Sequence, residues 1–148
     1  DILNRLYLKH SRENISKLST ILRKNFSEDI LARTIYEDIK KDKKNVIIVD
    51  GVRRMADISY LKKLPEFKLI YIDADMEKRY QRIILRGENV DDTSKTFEQF
   101  KKDHELETEL QIVNLKDFAD IVIDNNGNFE NLFKQVDDII NPIRTNEE

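Results

Sequence analysis

No cysteine occurs among the 148 residues, which excludes a disulfide framework, a thiolate nucleophile and a cysteine-based zinc site. No apolar run approaches the roughly 20 residues needed to span a bilayer, and no secretory signal is visible. An excess of one charge sign is missing too. Charged residues make up 37% of the chain, yet the formal net charge is only −3. A dedicated nucleic-acid or membrane-surface binder would need a basic surplus. These absences predict a soluble cytoplasmic protein with no nucleic-acid and no membrane partner. Glycine is also scarce, limited to Gly51, Gly87 and Gly127. Three scattered glycines cannot build the glycine-rich loop whose backbone amides cradle nucleotide phosphates. The first residue is Asp1, already abutting an apolar helical pattern, so the natural chain is expected to begin further upstream.

What is present suffices for one domain with a respectable core. The organising stretch is Asn45–Arg54, N-V-I-I-V-D-G-V-R-R. Its four consecutive β-branched residues, Val46 to Val49, read as a strand buried on both faces, as in a parallel sheet covered by helices. Asp50 would stand at the strand's carboxyl end, where open α/β sheets place ligands. There it could hold a cation, with Arg53 and Arg54 binding an anion beside it. The alternative is a strand followed by a solvated turn.

Along the chain, Ile2–Lys9 and Glu13–Asn25 carry helical patterns. Ser27 reads as the N-cap of a third helix, which ends in the lysine cluster 40–44. Those cations complement a helix C-terminus and need no nucleic acid to explain them. Met55–Lys63 reads as a helix stopped by Pro65, and Phe67–Asp73 as a second strand. Met76–Arg86 is helical, and 87–96 a polar loop. Thr96 opens a further helix, Phe97–Leu110, with Gln99 as its capping-box partner. Its acidic composition places that helix outside the core. Ile121–Asp124 is the third strand, and Phe129–Asn141 a closing helix facing inward through Leu132, Phe133, Val136 and Ile140. Pro142 stops that helix and leaves a frayed tail. Three short strands separated by helices predict an α/β fold, a three-layer sandwich with a parallel sheet.

Arg79, Arg82 and Arg86 recur at spacings of three and four along one side of a helix. Guanidinium groups so arranged repel one another unless an anion lies between them, and their planar forks suit phosphate. Compensation by Glu77 and Glu88 is the alternative. Asp73 and Asp75 could bind a metal or simply end a strand. His10 and His104 belong to no motif and read as surface residues. Asn125-Asn126-Gly127 reads as a turn.

The ordered set V-I-I-V-D-G-V-R-R (46–54), L-I-Y-I-D-A-D-M-E-K-R-Y-Q-R-I-I-L-R (69–86), F-E-Q-F-K-K-D-H-E-L-E (97–107) and A-D-I-V-I-D-N-N-G (119–127) resembles P-loop nucleotide kinases. Dephospho-coenzyme A kinase and the nucleoside monophosphate kinases are the nearest likeness, over about Leu18 to Ile140. The resemblance implies one incomplete domain over 1–148, lacking the first central strand, with a mobile lid at about 87–110. It further implies that Asp50 helps to place magnesium, that Arg82 and Arg86 stabilise the transferred phosphoryl group, and that Arg23, Arg53, Arg54 and Arg79 bind substrate. Asn125, Asn126 and Gly127 would lie beside the nucleotide base. The family's phosphate loop is absent.

The expected function is therefore the C-terminal majority of an ATP- and Mg2+-dependent kinase, acting on a nucleotide or coenzyme-like small-molecule acceptor and inactive as this segment. The rival is a non-catalytic module that binds a phosphorylated ligand or a partner chain. A receiver domain with Asp50 as phosphoacceptor would need a lysine after a late strand, where this chain has Asp124-Asn125-Asn126.

Overall fold

The computed structural model describes residues 2–87, 95–104 and 107–145. The chain divides into two compact units, Asp1–Phe67 and Lys68–Glu148.

The first unit is helical. Helix α1 (Ile2–Arg5) buries Leu3 and is followed by a turn through Tyr7, whose φ is 55°. Helix α2 (Arg12–Asn25) starts at Ser11, whose hydroxyl accepts the Asn14 amide at 3.2 Å. This satisfies one of the free amides of the first turn. Helix α3 (Ile30–Ile39) starts later than Ser27 predicts, with Asp29 as N-cap. The Ser27 carbonyl instead accepts from Ile30 at 3.1 Å and closes a turn ahead of the helix. The helix expected over 55–63 splits into α4 (Met55–Ile58) and a 3-10 turn, Leu61–Lys63. Leu3, Ala32, Ile58 and Leu61 are this unit's buried apolar side chains.

The largest departure is the first expected strand. Residues 46–53 adopt no regular secondary structure, and Ile48 is 83% exposed. A β-branched run is only half of a strand. The other half is a neighbour offering a hydrogen-bond ladder, and among the described residues the sheet has only two strands.

The second unit contains that sheet. Strands β1 (Ile70–Asp73) and β2 (Ile121–Asp124) pair in parallel, Ile70 opposite Ile121 and Asp73 opposite Asp124. The pairing is fastened at both ends. At its start the Leu69 amide donates to the Asp120 carboxylate at 2.7 Å, and the Asp120 amide returns a bond to the Leu69 carbonyl at 2.9 Å. At its end the Asn125 amide donates to the Asp73 carbonyl at 2.7 Å. Parallel neighbours require a crossover connection, and helices supply it. Helix α5 (Met76–Arg86) spans the expected residues and ends on Gly87, whose φ of 55° suits a residue without Cβ. Helix α6 (Phe97–His104) opens on the expected capping box. Thr96 donates its amide to Gln99 Oε1 at 2.9 Å, and Gln99 donates back to Thr96 Oγ1 at 3.2 Å. Helix α7 (Glu107–Leu115) follows, and a 3-10 turn, Lys116–Phe118, leads into β2.

Contrary to the expectation from its acidity, α6 is part of the core. Phe100 is only 3% exposed and packs its ring 5.6 Å from that of Tyr80 on α5. One large aromatic side chain outweighs many solvated charges in deciding which face of a helix is buried. Helix α8 (Phe129–Thr145) runs past Pro142, so the proline lies within the last turn rather than ending the helix. Phe133 and Val136, expected inside, are exposed. Of the expected lid, residues 88–94 and 105–106 lie outside the described residues, as does the end of the expected tail.

The fold is thus mixed α/β with a small parallel sheet. The contrast between its two most misjudged apolar residues is measurable. Phe100→Ala should lower stability by about 3–5 kcal/mol, whereas Ile48→Ser should change it by no more than about 0.5 kcal/mol. Urea denaturation monitored on both variants checks the pair.

Candidate anion-binding cleft

The row of arginines on α5 lines a cleft of about 300 Å³ in the second unit. Arg79, Arg82 and Arg86 share it with Ile72 and Ala74 from the end of β1, Ile83, Phe100 and His104 from α6, and Asn125 after β2. A helix rises about 1.5 Å per residue, so the arginine Cα atoms are spread over roughly 10 Å of the axis. Among the described residues no carboxylate lines the cleft. Glu77, the proposed compensating acid, forms no ion pair with these arginines, and Glu88 lies outside the described residues.

The three guanidinium groups are not equivalent. Arg82 donates to the Asn125 carbonyl at 2.8 Å and the Gly127 carbonyl at 3.4 Å. It therefore clamps the loop after β2 as well as lining the cleft. Lys78 completes the clamp at 2.6 Å from the Asn126 carbonyl, and the Asp75 amide donates to Asn126 Oδ1 at 2.8 Å. Arg79 differs. It is half-buried, and its Nε is shielded from solvent with no hydrogen-bond partner. A buried donor left unsatisfied costs about 1–3 kcal/mol, so this position calls for an acceptor that the described residues do not provide.

Asn126, expected beside a nucleotide base, spends its polar groups on the protein. Its amide and its Nδ2 both donate to Asp124 Oδ1, at 2.8 and 2.7 Å. These two bonds, the backbone one first, hold the Asp124 carboxyl below the usual carboxylate range. Gly127 is close to Asn131, whose side chain would stand 3.1 Å from an added Cβ. Opposite Asp124 in the register, Asp73 pairs with Lys116 at 2.5 Å, and that bond keeps the ammonium charged to higher pH than usual. Asp73 is therefore engaged by a cation of the protein. Among the described residues no group of three or more His, Cys, Asp or Glu could hold a metal ion.

The remaining expected site residues belong to the first unit. Asp50 accepts its own neighbour's amide, that of Gly51, at 2.6 Å, and Gly51 has a φ of 80°. It lines a separate hollow with Asp38 and Asp42, and no cationic side chain lines that hollow. Asp57, which the sequence reading passed over, organises the arginines nearby. It accepts the amides of Arg53 and Arg54 at 3.1 Å each and the Arg54 guanidinium at 3.0 Å. Arg23 reaches it at 3.7 Å, and Arg54 also pairs with Glu28 at 3.0 Å. Arg23 Nε is shielded and unpartnered like that of Arg79, but Arg23 has a carboxylate within reach. Asp50 thus lines a hollow of the first unit, and Arg82 and Arg86 line the cleft of the second.

Phe100 and His104 were missed as site residues. Their spacing of four on one helix puts them on the same side, and their rings lie 4.2 Å apart. That spacing was the available signal. It was lost because an isolated histidine in an acidic stretch reads as solvated.

No family model matches the chain. A UPF0200 protein of Staphylothermus marinus is 32% identical over 131 residues, covering 88% of this chain and 68% of its own length. A UPF0200 protein of Methanocaldococcus jannaschii is 29% identical, covering 94% of this chain and 71% of its own. A UPF0200/UPF0201 protein of Archaeoglobus fulgidus is 28% identical over 145 residues, and there the chain spans 44% of the relative's length. None of these names is that of a kinase. The resemblance to P-loop nucleotide kinases is corrected accordingly. Its physical weakness was that it rested on strand and helix segments shared by many α/β proteins, without the phosphate loop that would have carried the chemistry.

The lowered Asp124 value has a consequence for the clamped loop. Its contribution is present above the ordinary aspartate value, about 3.9, and is lost as pH falls through the lower folded one. The Asn126 amide resonance should hold its position down to about pH 4 and move on further acidification. In Asp124→Asn that acid transition should vanish, as an NMR pH titration would show.

Proposed function

This chain belongs to the UPF0200 family, and we propose that its arginine-lined cleft binds the phosphate group of a small-molecule ligand. The observation that carries the reading is Arg79, a half-buried guanidinium whose shielded Nε has no partner among the described residues, in a cleft that these residues line with two further arginines and no acid. Arginine offers five donors in a planar fork and no acceptor. Phosphate presents only acceptors to such a fork once ionised. Arg82 and Arg86 add charge to the same cleft, and Ile72, Ala74 and Ile83 give it an apolar lining. Charge-assisted bonds from arginine to an ionised phosphate are about twice as strong as neutral ones.

Phosphoryl transfer from Mg-ATP to a nucleotide or coenzyme-like acceptor is a second reading. The same arginines support it, since donors aimed at a transferring group stabilise its charge. The residues described here do not fit an ATP–Mg2+ centre, however. Among the described residues no group of three or more His, Cys, Asp or Glu could hold the Mg2+. Binding is the reading adopted for this chain. For the fold, we propose that the two-stranded sheet belongs to a three-layer α/β sandwich. The support is the alternation of elements in the second unit, where helices connect two parallel strands.

Calorimetric titration with inorganic phosphate tests the binding reading. Arg79→Met should weaken affinity about 10- to 100-fold, the worth of one charge-assisted hydrogen-bonding group. Arg53→Met, in the other unit, should leave it unchanged. Equal affinities for wild type and Arg79→Met would defeat the proposal.

A further inference from the structure

We propose that the ligand of this cleft is a hydroxyl-bearing phosphate ester of the sugar-phosphate class, and that His104 accepts a hydrogen bond from its hydroxyl. The inference rests on the phosphate reading above and adds what the rest of the cleft selects.

The histidine's Nδ1 lies 2.8 Å from the Phe100 carbonyl oxygen. A carbonyl can only accept, so Nδ1 carries the hydrogen, and in the neutral ring Nε2 is left as an acceptor. This tautomer follows from the hydrogen-bond partner. Stacking against Phe100, with ring centroids 4.2 Å apart, holds the imidazole in place. Nε2 has no hydrogen-bond partner among the described residues.

Among the described residues the polar inventory of the cleft is lopsided. Arg79, Arg82 and Arg86 can only donate, and the Asn125 amide offers both roles. His104 is the lining side chain that, when neutral, presents a ring nitrogen purely as an acceptor at its free position. An ionised phosphate brings no proton to share with it. A ligand carrying a hydroxyl beside its phosphate matches both halves, acceptors to the arginines and a donor to the imidazole. Size agrees. The cleft's roughly 300 Å³ is at the lower end of small-ligand pockets, about 300–1,000 Å³, and exceeds what a bare ion fills. Its apolar wall of Ile72, Ala74 and Ile83 offers contact for a carbon skeleton.

The test compares ribose 5-phosphate with methyl phosphate, which has the ester but no hydroxyl. Both are titrated calorimetrically at about pH 8, where an ordinary imidazole is neutral, into the full chain and into His104→Phe. Phenylalanine keeps a ring against Phe100 and removes the nitrogen. Wild type should prefer ribose 5-phosphate by about three- to tenfold, the worth of one neutral hydrogen bond. His104→Phe should lose the preference and keep its affinity for methyl phosphate. Equal affinities in wild type, or a preference that survives in His104→Phe, would overturn the inference while leaving the phosphate reading intact. Failure to bind either ester would overturn both. A measurement independent of any variant is the imidazole 15N spectrum of the wild type. The Nε2 resonance should move with ribose 5-phosphate and stay with methyl phosphate, and the reverse contradicts the assignment.

Discussion

The second unit depends on one constraint, the parallel pairing of β1 with β2. Four residue pairs are too few to be secure by themselves, since each backbone hydrogen bond contributes only about 0.5–1.5 kcal/mol net. The ends are therefore fixed separately. Asp120 brackets Leu69 at the entry, and the Asn125 amide reaches the Asp73 carbonyl at the exit. Because the strands run the same way, both exits fall at the same rim. There α5 begins after one strand and the Asn125–Gly127 loop begins after the other. That coincidence lets Asp75, Lys78 and Arg82 from one element hold the loop of the other. The cleft follows from the clamp.

Electrostatics at this rim are divided by role. The cations that hold the structure have partners. Lys116 sits on Asp73, Lys78 on a carbonyl, and Arg82 on two carbonyls. Carbonyl partners supply dipoles but no countercharge, so Arg82 keeps its charge available to the cleft. Arg79 lacks even that much. In the first unit Arg54 pairs with both Asp57 and Glu28 and Arg23 comes within 3.7 Å of Asp57, while Arg53 gives Asp57 its backbone amide. Arginines that look alike in sequence thus differ in their partners: Arg54 is held by two carboxylates, whereas the Arg79 Nε has no partner among the described residues.

Local signals in the sequence carried the elements whose causes are local. The capping box at Thr96 and Gln99 formed as spacing predicts, α5 kept its expected bounds, and β2 kept its four residues. Failures came where the outcome depends on distant partners. Val46–Val49 has strand composition, yet strand formation needs a neighbour that no local pattern reveals. Ser27 is a good capping residue that was displaced by a turn. Phe100 was hidden among acids, and its burial depends on Tyr80, about twenty residues away in a different helix. Of the site, the arginine row was legible because its period is helical. His104 was not, because its importance comes from the Phe100 ring and carbonyl.

The central claim is that Arg79, whose Nε has no partner among the described residues, takes one from a ligand's phosphate. The most direct measurement follows the arginine Nε–Hε resonances by NMR while inorganic phosphate is added. The account predicts that the Arg79 signal moves most and becomes protected from exchange as the ion binds. Unchanged Arg79 with shifts confined to Arg23, Arg53 or Arg54 would contradict it.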